Sequence, residues 1–324
     1  MFSARARILG ALAGSVAVTL LLAGCAALTG GSGGGGERVV AAFYPLAWVT
    51  GRVAGENYQV TNLTQPGGEP HDLELSIKET AELEQAALVV FERDFQPAVD
   101  AAVDQNAEGA VLDVADVVEL RPFTDHTGED HGDHAAEEEE HSADDGHDHG
   151  DLDPHFWLDP LLMADVADAV ADELSDLDPD HAEEYAANAA EVRDDLTALD
   201  REYADGLASC ALDTVVVNHD AFGYLARYGL HIEPIVGLTP EAEPTPADLA
   251  RLQDLVRSEG VTTVFAESLG SPKAAESLAQ DLGVDVQVLD PVEGLSDRTA
   301  GEDYLSLMRQ NLDRLQEANQ CQTP

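Results

Sequence analysis

The sequence has few basic residues: 16 Lys+Arg stand against 64 Asp+Glu, which gives a formal net charge of −48 at pH 7. A surface this acidic repels nucleic acids and anionic lipid head groups, and it draws cations toward itself. An acidic surface also keeps a protein soluble in salt, and that interpretation stays open beside the first. The shortage of positive charge therefore excludes nucleic acid from the expected partners and favours a cation.

Cysteine is also scarce, with 3 residues in the chain. Cys25 closes an N-terminal segment in which a short basic region precedes the apolar run 8–22. That run is too short for a comfortable membrane helix, and it stands where a signal peptide is expected. The sequence Leu22-Ala23-Gly24-Cys25 resembles a bacterial lipobox, whose cysteine is lipidated; a cleaved signal with an incidental cysteine is the alternative. We predict a lipoprotein signal peptide over residues 1–24 and a glycine-rich flexible tether over 25–37.

Cys210 and Cys321 remain as a pair. Two cysteines in an exported protein favour a disulfide, and the alternative is a pair of reduced, buried thiols. No stretch after the N-terminal segment is apolar and long enough to span a bilayer. We therefore expect an exported protein that a lipid anchors to the outer face of the cytoplasmic membrane.

Strand-like and helix-like segments alternate along the rest of the chain, and an apolar content of 44% is ample for ordinary cores. This alternation predicts an α/β fold with parallel sheets. One α/β lobe is expected over residues 38–178, including short strands at Val111 and Val117, and a second over residues 208–324. Residues 179–207 have helical character and no glycine before Gly206, which predicts a long, rigid helix between the two lobes.

An acidic, histidine-rich run interrupts the first lobe at residues 122–153. Imidazole and carboxylate are the ligands that borderline divalent cations prefer, so the run is predicted to be a disordered metal-binding loop. A solvated acidic linker with incidental histidines is the alternative. The loop histidines are His126, His131, His134, His141, His147 and His149.

Three histidines outside the loop lie in turns or beside predicted strands: His71, His155 and His219. Ligands of open α/β sheets gather beyond the carboxyl ends of the strands. His219 directly follows one predicted strand, and Asp290 follows another. Together with the histidine-rich loop, these positions predict a metal site.

Five motifs occur in an order that resembles a known family: Tyr44-Pro45, Gly68-Glu69-Pro70-His71-Asp72-Leu73-Glu74-Leu75, Pro154-His155-Phe156-Trp157-Leu158-Asp159-Pro160, Asn218-His219-Asp220-Ala221-Phe222-Gly223-Tyr224-Leu225 and Glu243-Pro244-Thr245-Pro246. With them, nearly all of the chain beyond the tether resembles the solute-binding lipoproteins of zinc and manganese ABC importers, the ZnuA/TroA family. The resemblance implies two α/β lobes joined by one long helix, with a metal ion held in the cleft between them.

The resemblance also implies the ligands: His71 and His155 from the first lobe, and His219 and Asp290 from the second. Glu69 or a water molecule is an alternative fourth ligand, with Asp290 then behind the ligands. Family members that take manganese typically present two histidines and two carboxylates, whereas three imidazoles and one carboxylate suit zinc. A histidine-rich loop before the second ligand is also characteristic of the zinc branch.

The expected function is therefore high-affinity binding of Zn²⁺ outside the cytoplasm and its delivery to an ABC permease and ATPase, by a monomer that is not an enzyme. Transport of manganese or another divalent metal, and a surface metal buffer or adhesin, are alternatives. A secreted zinc hydrolase would use three histidines and a water, with Glu69 or Asp290 as general base. The sequence has no His-Glu-x-x-His helix and no Gly-x-Ser-x-Gly nucleophile elbow, which disfavours a hydrolase.

Overall fold

The computed structural model describes residues 38–123 and 152–322. The first of its two sheets is parallel and has the strand order β2-β1-β3-β4. Strands β1 and β3 consist almost wholly of buried apolar residues, as is usual for parallel strands that helices cover on both faces. The elements are β1 (Arg38–Ala41), α1 (Tyr44–Ala54), β2 (Gln59–Asn62), α2 (Ile77–Glu84), β3 (Leu88–Phe91), α3 (Pro97–Asn106) and β4 (Ala110–Asp113).

Two helices, α4 (Pro160–Leu177) and α5 (Ala182–Leu207), connect the sheets. Helix α5 is 26 residues long and buries one face, which includes Tyr185, Leu196 and Tyr203. At about 1.5 Å per residue such a helix spans close to 40 Å, which suits the rigid connection expected from the sequence.

The second sheet repeats the first, with all strands parallel and the order β6-β5-β7-β8. In both sheets the chain first adds a strand on one side and then crosses to the other, so a topological switch point lies between β1 and β3 and between β5 and β7. Its elements are β5 (Thr214–Val217), β6 (His231–Pro234), α6 (Pro246–Glu259), β7 (Thr263–Ala266), α7 (Lys273–Leu282), β8 (Asp285–Val288) and α8 (Tyr304–Ala318). The predicted fold class, two parallel α/β lobes with a long helix between them, is confirmed.

Local signals explain several helix ends. Thr245 and Asp248 form a capping box at the start of α6, where proline occupies the first turn. Helices α6 and α7 both end at a glycine in the left-handed conformation, Gly260 and Gly283, each with φ of 70°. The predicted strand at Val117 is wrong: the Asp113 side chain accepts a hydrogen bond from the Ala115 N–H at 3.0 Å and starts a 3₁₀ turn instead.

The two ends of the histidine-rich run are ordered, contrary to the prediction of disorder over residues 122–153. Pro122 and Leu152 form an isolated antiparallel bridge, and Asp153 is buried. The six loop histidines fall among residues 124–151, which lie outside the described residues. In the described part of the chain, no helix combines the length and apolar character that crossing a membrane requires.

The core is continuous between the two sheets. The Trp157 indole N–H donates a hydrogen bond to the Pro291 carbonyl at 2.8 Å, and the Tyr304 hydroxyl donates one to the Trp157 carbonyl. Trp48 of α1 stacks on Tyr304 of α8 with ring centroids 4.7 Å apart. These contacts join segments from both lobes, so the loops that carry the predicted ligands are held against one another by buried side chains.

Candidate metal centre

Four buried side chains meet between the two lobes: His71, His155, His219 and Glu293. Each offers one ligand atom, and these atoms all lie within 4.8 Å of one another. We call these residues the four-residue cluster. His71 lies in the loop between β2 and α2, and His155 begins a 3₁₀ turn before α4. His219 and Glu293 lie in the loops after β5 and β8, so each lobe contributes two members.

Glu293 Oε1 is the point on which the imidazoles converge. It lies 3.3 Å from His219 Nε2, 3.4 Å from His155 Nε2 and 3.7 Å from His71 Nε2. The side chains are at most 1% exposed. Glu293 Oε1 and the Nε2 atoms of His155 and His219 have no hydrogen-bond partner of good geometry. Buried polar atoms that face one another without bonding are costly unless a further group binds them, so this arrangement fits a cation.

The separations also match the size of a zinc ion. Metal–ligand bonds of about 2.0–2.2 Å in a tetrahedron place neighbouring ligand atoms about 3.3–3.6 Å apart. The measured 3.3, 3.4 and 3.7 Å lie in or next to that range. Three nitrogens and one carboxylate oxygen are a donor set that suits Zn²⁺ better than harder cations.

Carboxylates behind two of the imidazoles fix their orientation. Asp153 Oδ1 lies 2.8 Å from His155 Nδ1, and it also accepts the His155 backbone N–H at 3.0 Å. Glu267 Oε1 does the same for His219, at 2.6 Å from Nδ1 and 3.0 Å from the backbone nitrogen. A carboxylate on Nδ1 retains the proton there, so Nε2 is free to face the cluster as a ligand.

Aromatic rings form one wall of the cluster. The His155 ring centroid lies 5.2 Å from that of Trp157, and the His71 centroid lies 4.8 Å from that of Phe95. Phe43 packs against both Trp157 and Phe95. Trp157 therefore packs against the ring of His155. This apolar wall strengthens electrostatic interactions within the cluster, because it keeps water away from the charges.

Burial and neighbouring charges shift the pKa values of the three histidines in different directions. Burial lowers the pKa of His71 to about 4, although Glu293 acts against it. Burial also lowers the pKa of His155 and of His219, but carboxylates outweigh it in both cases. Asp153 and Glu293 hold the pKa of His155 above its usual value, and Glu267 and Glu293 hold the pKa of His219 well above its own.

Glu293 and Glu69 differ in charge. Burial raises the pKa of Glu293, yet the three histidines outweigh it and hold that pKa well below its usual value, so Glu293 is ionised. Burial and the charge on Glu293 raise the pKa of Glu69 to about 8. Glu69 Oε1 accepts the His71 backbone N–H at 3.4 Å, and Glu69 is not a member of the cluster. The alternative assignment of Glu69 as the fourth ligand is therefore not what the structure favours.

The expected position of Asp290 in the ligand set needs correction. Asp290 Oδ1 accepts the Val292 N–H at 2.8 Å, so the carboxylate is used within its own loop. Val292 has φ of 60°, and this left-handed residue turns the chain so that Glu293 enters the cluster. Sequence reasoning missed Glu293 because it lies beyond the first residue after the strand, where ligands are usually sought. The only available signal was a second carboxylate in the motif Asp290-Pro291-Val292-Glu293.

Other predicted sites have different outcomes. Cys210 and Cys321 form the predicted disulfide. Cys25 lies outside the described residues, as do the loop histidines. Glu267, which directly follows β7, is the partner of His219.

Several known proteins are similar in sequence to this chain. The family model for the periplasmic component A of the zinc-uptake complex, ZnuA, matches residues 39–318. The zinc-binding protein AdcA of Streptococcus pyogenes serotype M3 is 34% identical over 298 residues, which cover 87% of this chain and 56% of that protein. The high-affinity zinc uptake system protein ZnuA of Bacillus subtilis is 30% identical over 314 residues, which cover 92% of this chain and 94% of that protein.

A solved structure is similar as well. The Zn(II)-bound ZnuA-like domain of Streptococcus pneumoniae AdcA superposes with a TM-score of 0.71 at 32% identity, covering 88% of this chain and 99% of that domain. The chain spans about half the length of the AdcA relatives that it matches, at 56% of AdcA from S. pyogenes. Since the family model covers most of the described residues, the chain belongs to the family of ZnuA, the periplasmic component A of zinc-uptake complexes.

Proposed function

We propose that this protein binds one Zn²⁺ ion in the four-residue cluster outside the cytoplasm and delivers it to an ABC-type import permease. The observation that carries the proposal is the convergence of three imidazole nitrogens on one carboxylate oxygen at 3.3–3.7 Å, in a site that is almost wholly buried. Relatives with names that specify zinc binding and zinc uptake support the same cargo.

Capture requires no covalent chemistry. The ion replaces the proton that each protonated imidazole carries on Nε2, while Asp153 and Glu267 keep the Nδ1 protons in place. Four protein donors complete a tetrahedral shell and leave no open position for a reacting water, which argues against a hydrolase. The three nitrogen donors argue for zinc over manganese.

The remaining parts of the proposal concern assembly. A permease and its ATPase are the proposed partners, because the family model describes one component of a zinc-uptake complex. Lipidation at Cys25 would hold a monomer at the outer face of the cytoplasmic membrane, close to that permease. Metabolic labelling with a fatty acid, on wild type and Cys25→Ser, tests the anchor.

The direct test of zinc binding is native mass spectrometry with metal competition. The proteins to compare are wild type, His219→Ala and His231→Gln. His231 is half-exposed on β6 and pairs with Glu233, so it serves as a matched histidine outside the cluster. We expect wild type and His231→Gln to select Zn²⁺ over Mn²⁺, and His219→Ala to lose tight binding. Undiminished tight binding in His219→Ala would falsify the proposed site.

Acidification is expected to weaken zinc binding, because protons and zinc compete for the imidazole nitrogens. Neighbouring carboxylates outweigh burial and raise the pKa of His155 and, more strongly, that of His219, so both imidazoles bind protons more readily than a free histidine does, and zinc must displace those protons. The pKa of His71, about 4, means that this residue is already neutral. The affinity should therefore fall as the pH is lowered through the histidine range.

Chelator competition across that pH range measures the slope. Calorimetry in buffers of different ionisation enthalpy gives an independent count of the protons released. An affinity that stays constant over the range contradicts histidine ligation.

Removing the histidine-rich loop is expected to preserve the tight zinc site if the deletion leaves Pro122, Leu152 and Asp153 in place. Replacing residues 124–151 with a short glycine-rich linker keeps the Pro122–Leu152 bridge and leaves Asp153 on His155. We expect one tightly bound Zn²⁺, with an affinity within about threefold of wild type. Deleting residues 122–153 removes Asp153 as well and should weaken binding about 10- to 100-fold, as loss of a carboxylate behind a metal-bound histidine does.

Zinc stoichiometry by native mass spectrometry and affinity by chelator competition separate the two deletions. Loss of the tight ion in the shorter deletion would move the principal site into the loop.

A further inference from the structure

Four residues, two from the ends of the histidine-rich run and two from the second lobe, form a clamp that reaches the cluster: Arg121, Asp153, Gly223 and Tyr224. We call them the Tyr224 clamp. Arg121 and Asp153 belong to the segments on either side of residues 124–151, whereas Gly223 and Tyr224 belong to the 3₁₀ helix Phe222–Tyr228 after β5. The clamp therefore joins the two lobes.

The Tyr224 hydroxyl makes two hydrogen bonds in this clamp. It donates to the Asp153 carbonyl at 2.8 Å and accepts the Arg121 backbone N–H at 3.1 Å. The Asp153 N–H donates to the Arg121 carbonyl at 2.9 Å. The Arg121 guanidinium carbon lies 5.6 Å from the centre of the Tyr224 ring. The Tyr224 hydroxyl thus connects the backbone at Arg121 to the backbone at Asp153.

Gly223 lets the clamp close tightly. A Cβ atom at this position would lie 2.4 Å from Arg121 Nη1 and 2.8 Å from Asp153 Oδ2, both shorter than real contacts. The Asp153 side chain is only 5% exposed, and its Oδ2 lies 3.9 Å from Arg121 Nε. The other oxygen, Oδ1, faces His155. The two carboxylate oxygens therefore have separate partners.

The clamp begins only a few residues after another member of the cluster. His219 precedes Gly223 and Tyr224 in the same short segment, and its ring centroid lies 5.3 Å from that of His155. A single segment thus supplies one imidazole and fixes the carboxylate behind the other. This arrangement relates the position of His155, from the first lobe, to that of His219, from the second.

We propose that Tyr224 is a positioning residue for zinc binding: through Asp153 it holds the His155 imidazole so that Nε2 faces the cluster. This inference rests on the proposed function, because it assumes that His155 is a zinc ligand. Without the hydroxyl, the Asp153 carbonyl and the Arg121 N–H both lose a buried partner. Asp153 then has freedom to shift, and the imidazole that it orients shifts with it.

The test is a double-mutant cycle on the full chain, with zinc affinity measured by chelator competition. Tyr224→Phe is made in wild type, in His155→Ala and in His71→Ala. We expect about a tenfold loss of zinc affinity in wild type and in His71→Ala, at the lower end of the effects of outer-shell partners. In His155→Ala the same change should alter the affinity less than about twofold, because the group that Tyr224 positions is absent.

Tyr228→Phe is the matched control. Tyr228 lies in the same 3₁₀ helix and donates a hydrogen bond to Asp200 Oδ1 at 2.9 Å, away from the cluster. We expect it to lower the melting temperature about as much as Tyr224→Phe does, with no change in zinc affinity. The d–d absorption spectrum of bound Co²⁺ adds a geometric readout, which should change in Tyr224→Phe and not in Tyr228→Phe.

A second variant tests the Tyr224 clamp at Gly223. Gly223→Ala pushes on Arg121 and Asp153, and it should also lose zinc affinity only where His155 is present. Gly51→Ala in α1, where a Cβ meets nothing within 4 Å, is its control. Equal losses in the His155→Ala and wild-type backgrounds, or no loss in wild type, would overturn the role of Tyr224 and leave the proposed function intact. A wild-type protein that binds no zinc would overturn both.

Discussion

Replacing Glu293 with alanine is expected to lower the zinc affinity at least about 100-fold, more than the loss of a typical outer-shell partner. Glu293 supplies the one carboxylate of the four-residue cluster, and its Oε1 faces all three imidazoles. Without it, a doubly charged ion would be held by three neutral nitrogens in a buried site, with no negative charge among its direct ligands. The zinc-free protein should change as well, because His155 and His219 lose the carboxylate between them.

Asp290→Asn is the matched control for this experiment. The asparagine keeps an oxygen that accepts the Val292 N–H, so the loop that carries Glu293 is preserved. We expect zinc affinity within about threefold of wild type for Asp290→Asn. Chelator competition on both variants, with circular dichroism to establish folding, measures the difference. A large loss in Asp290→Asn together with a small one in Glu293→Ala would restore the ligand set expected from the sequence.

The contrast between these two carboxylates illustrates what the sequence could predict. Strand–helix alternation was sufficient for both sheets, because parallel strands such as β1 and β5 are short, apolar after their first residue and bounded by turns. Capping residues such as Thr245 and Gly260 act on helix ends locally, so their effect can be inferred from the sequence. The strand expected at Val117 was wrong because the Ala115 N–H donates a hydrogen bond to the Asp113 side chain and starts a turn there, and the hydrophobic pattern does not indicate such a bond.

The histidines of the cluster could be predicted for a different reason. Each lies in a motif of several residues, and such motifs are visible in the sequence without knowledge of the fold. Glu293 could not be predicted, because its position depends on the left-handed backbone conformation of Val292, which the residue type does not indicate. The partner carboxylates have the same origin: Glu267 meets His219 only because β5 and β7 are neighbours in the sheet. Tertiary proximity of this kind is absent from a single sequence.

The roles of Asp153 and Tyr224 belong to the same class of information. Asp153 is the last residue of the histidine-rich run as composition defines it. It is nevertheless buried beside His155, with 3% of its surface exposed. A boundary drawn by composition alone assigned this carboxylate to a disordered loop. In the structure, Pro122 and Leu152 form a bridge, and the next residues on each side, Arg121 and Asp153, are joined by a backbone hydrogen bond.

Removing the disulfide is expected to destabilise the protein without weakening its zinc site. The bond joins Cys210, beyond the end of α5, to Cys321, beyond the end of α8, across 111 residues. Closing a loop of that length restricts the unfolded chain and contributes about 5 kcal/mol to the free energy of unfolding in the chain-entropy model. Cys210→Ser/Cys321→Ser should therefore lower the melting temperature by roughly 8 to 15 °C.

Zinc affinity should stay within about threefold of wild type in the same variant, because Asp153, Glu267 and the Tyr224 clamp orient the imidazoles independently of the disulfide. The increase in melting temperature on adding zinc then persists, since ligand binding and the cross-link act on stability separately. Calorimetric scans with and without zinc, on the variant and on wild type with reductant, measure both effects. A variant that melts like oxidised wild type would contradict the expected restriction of the unfolded chain by the cross-link. A variant that no longer gains stability from zinc would show that the cross-link also acts on the zinc site.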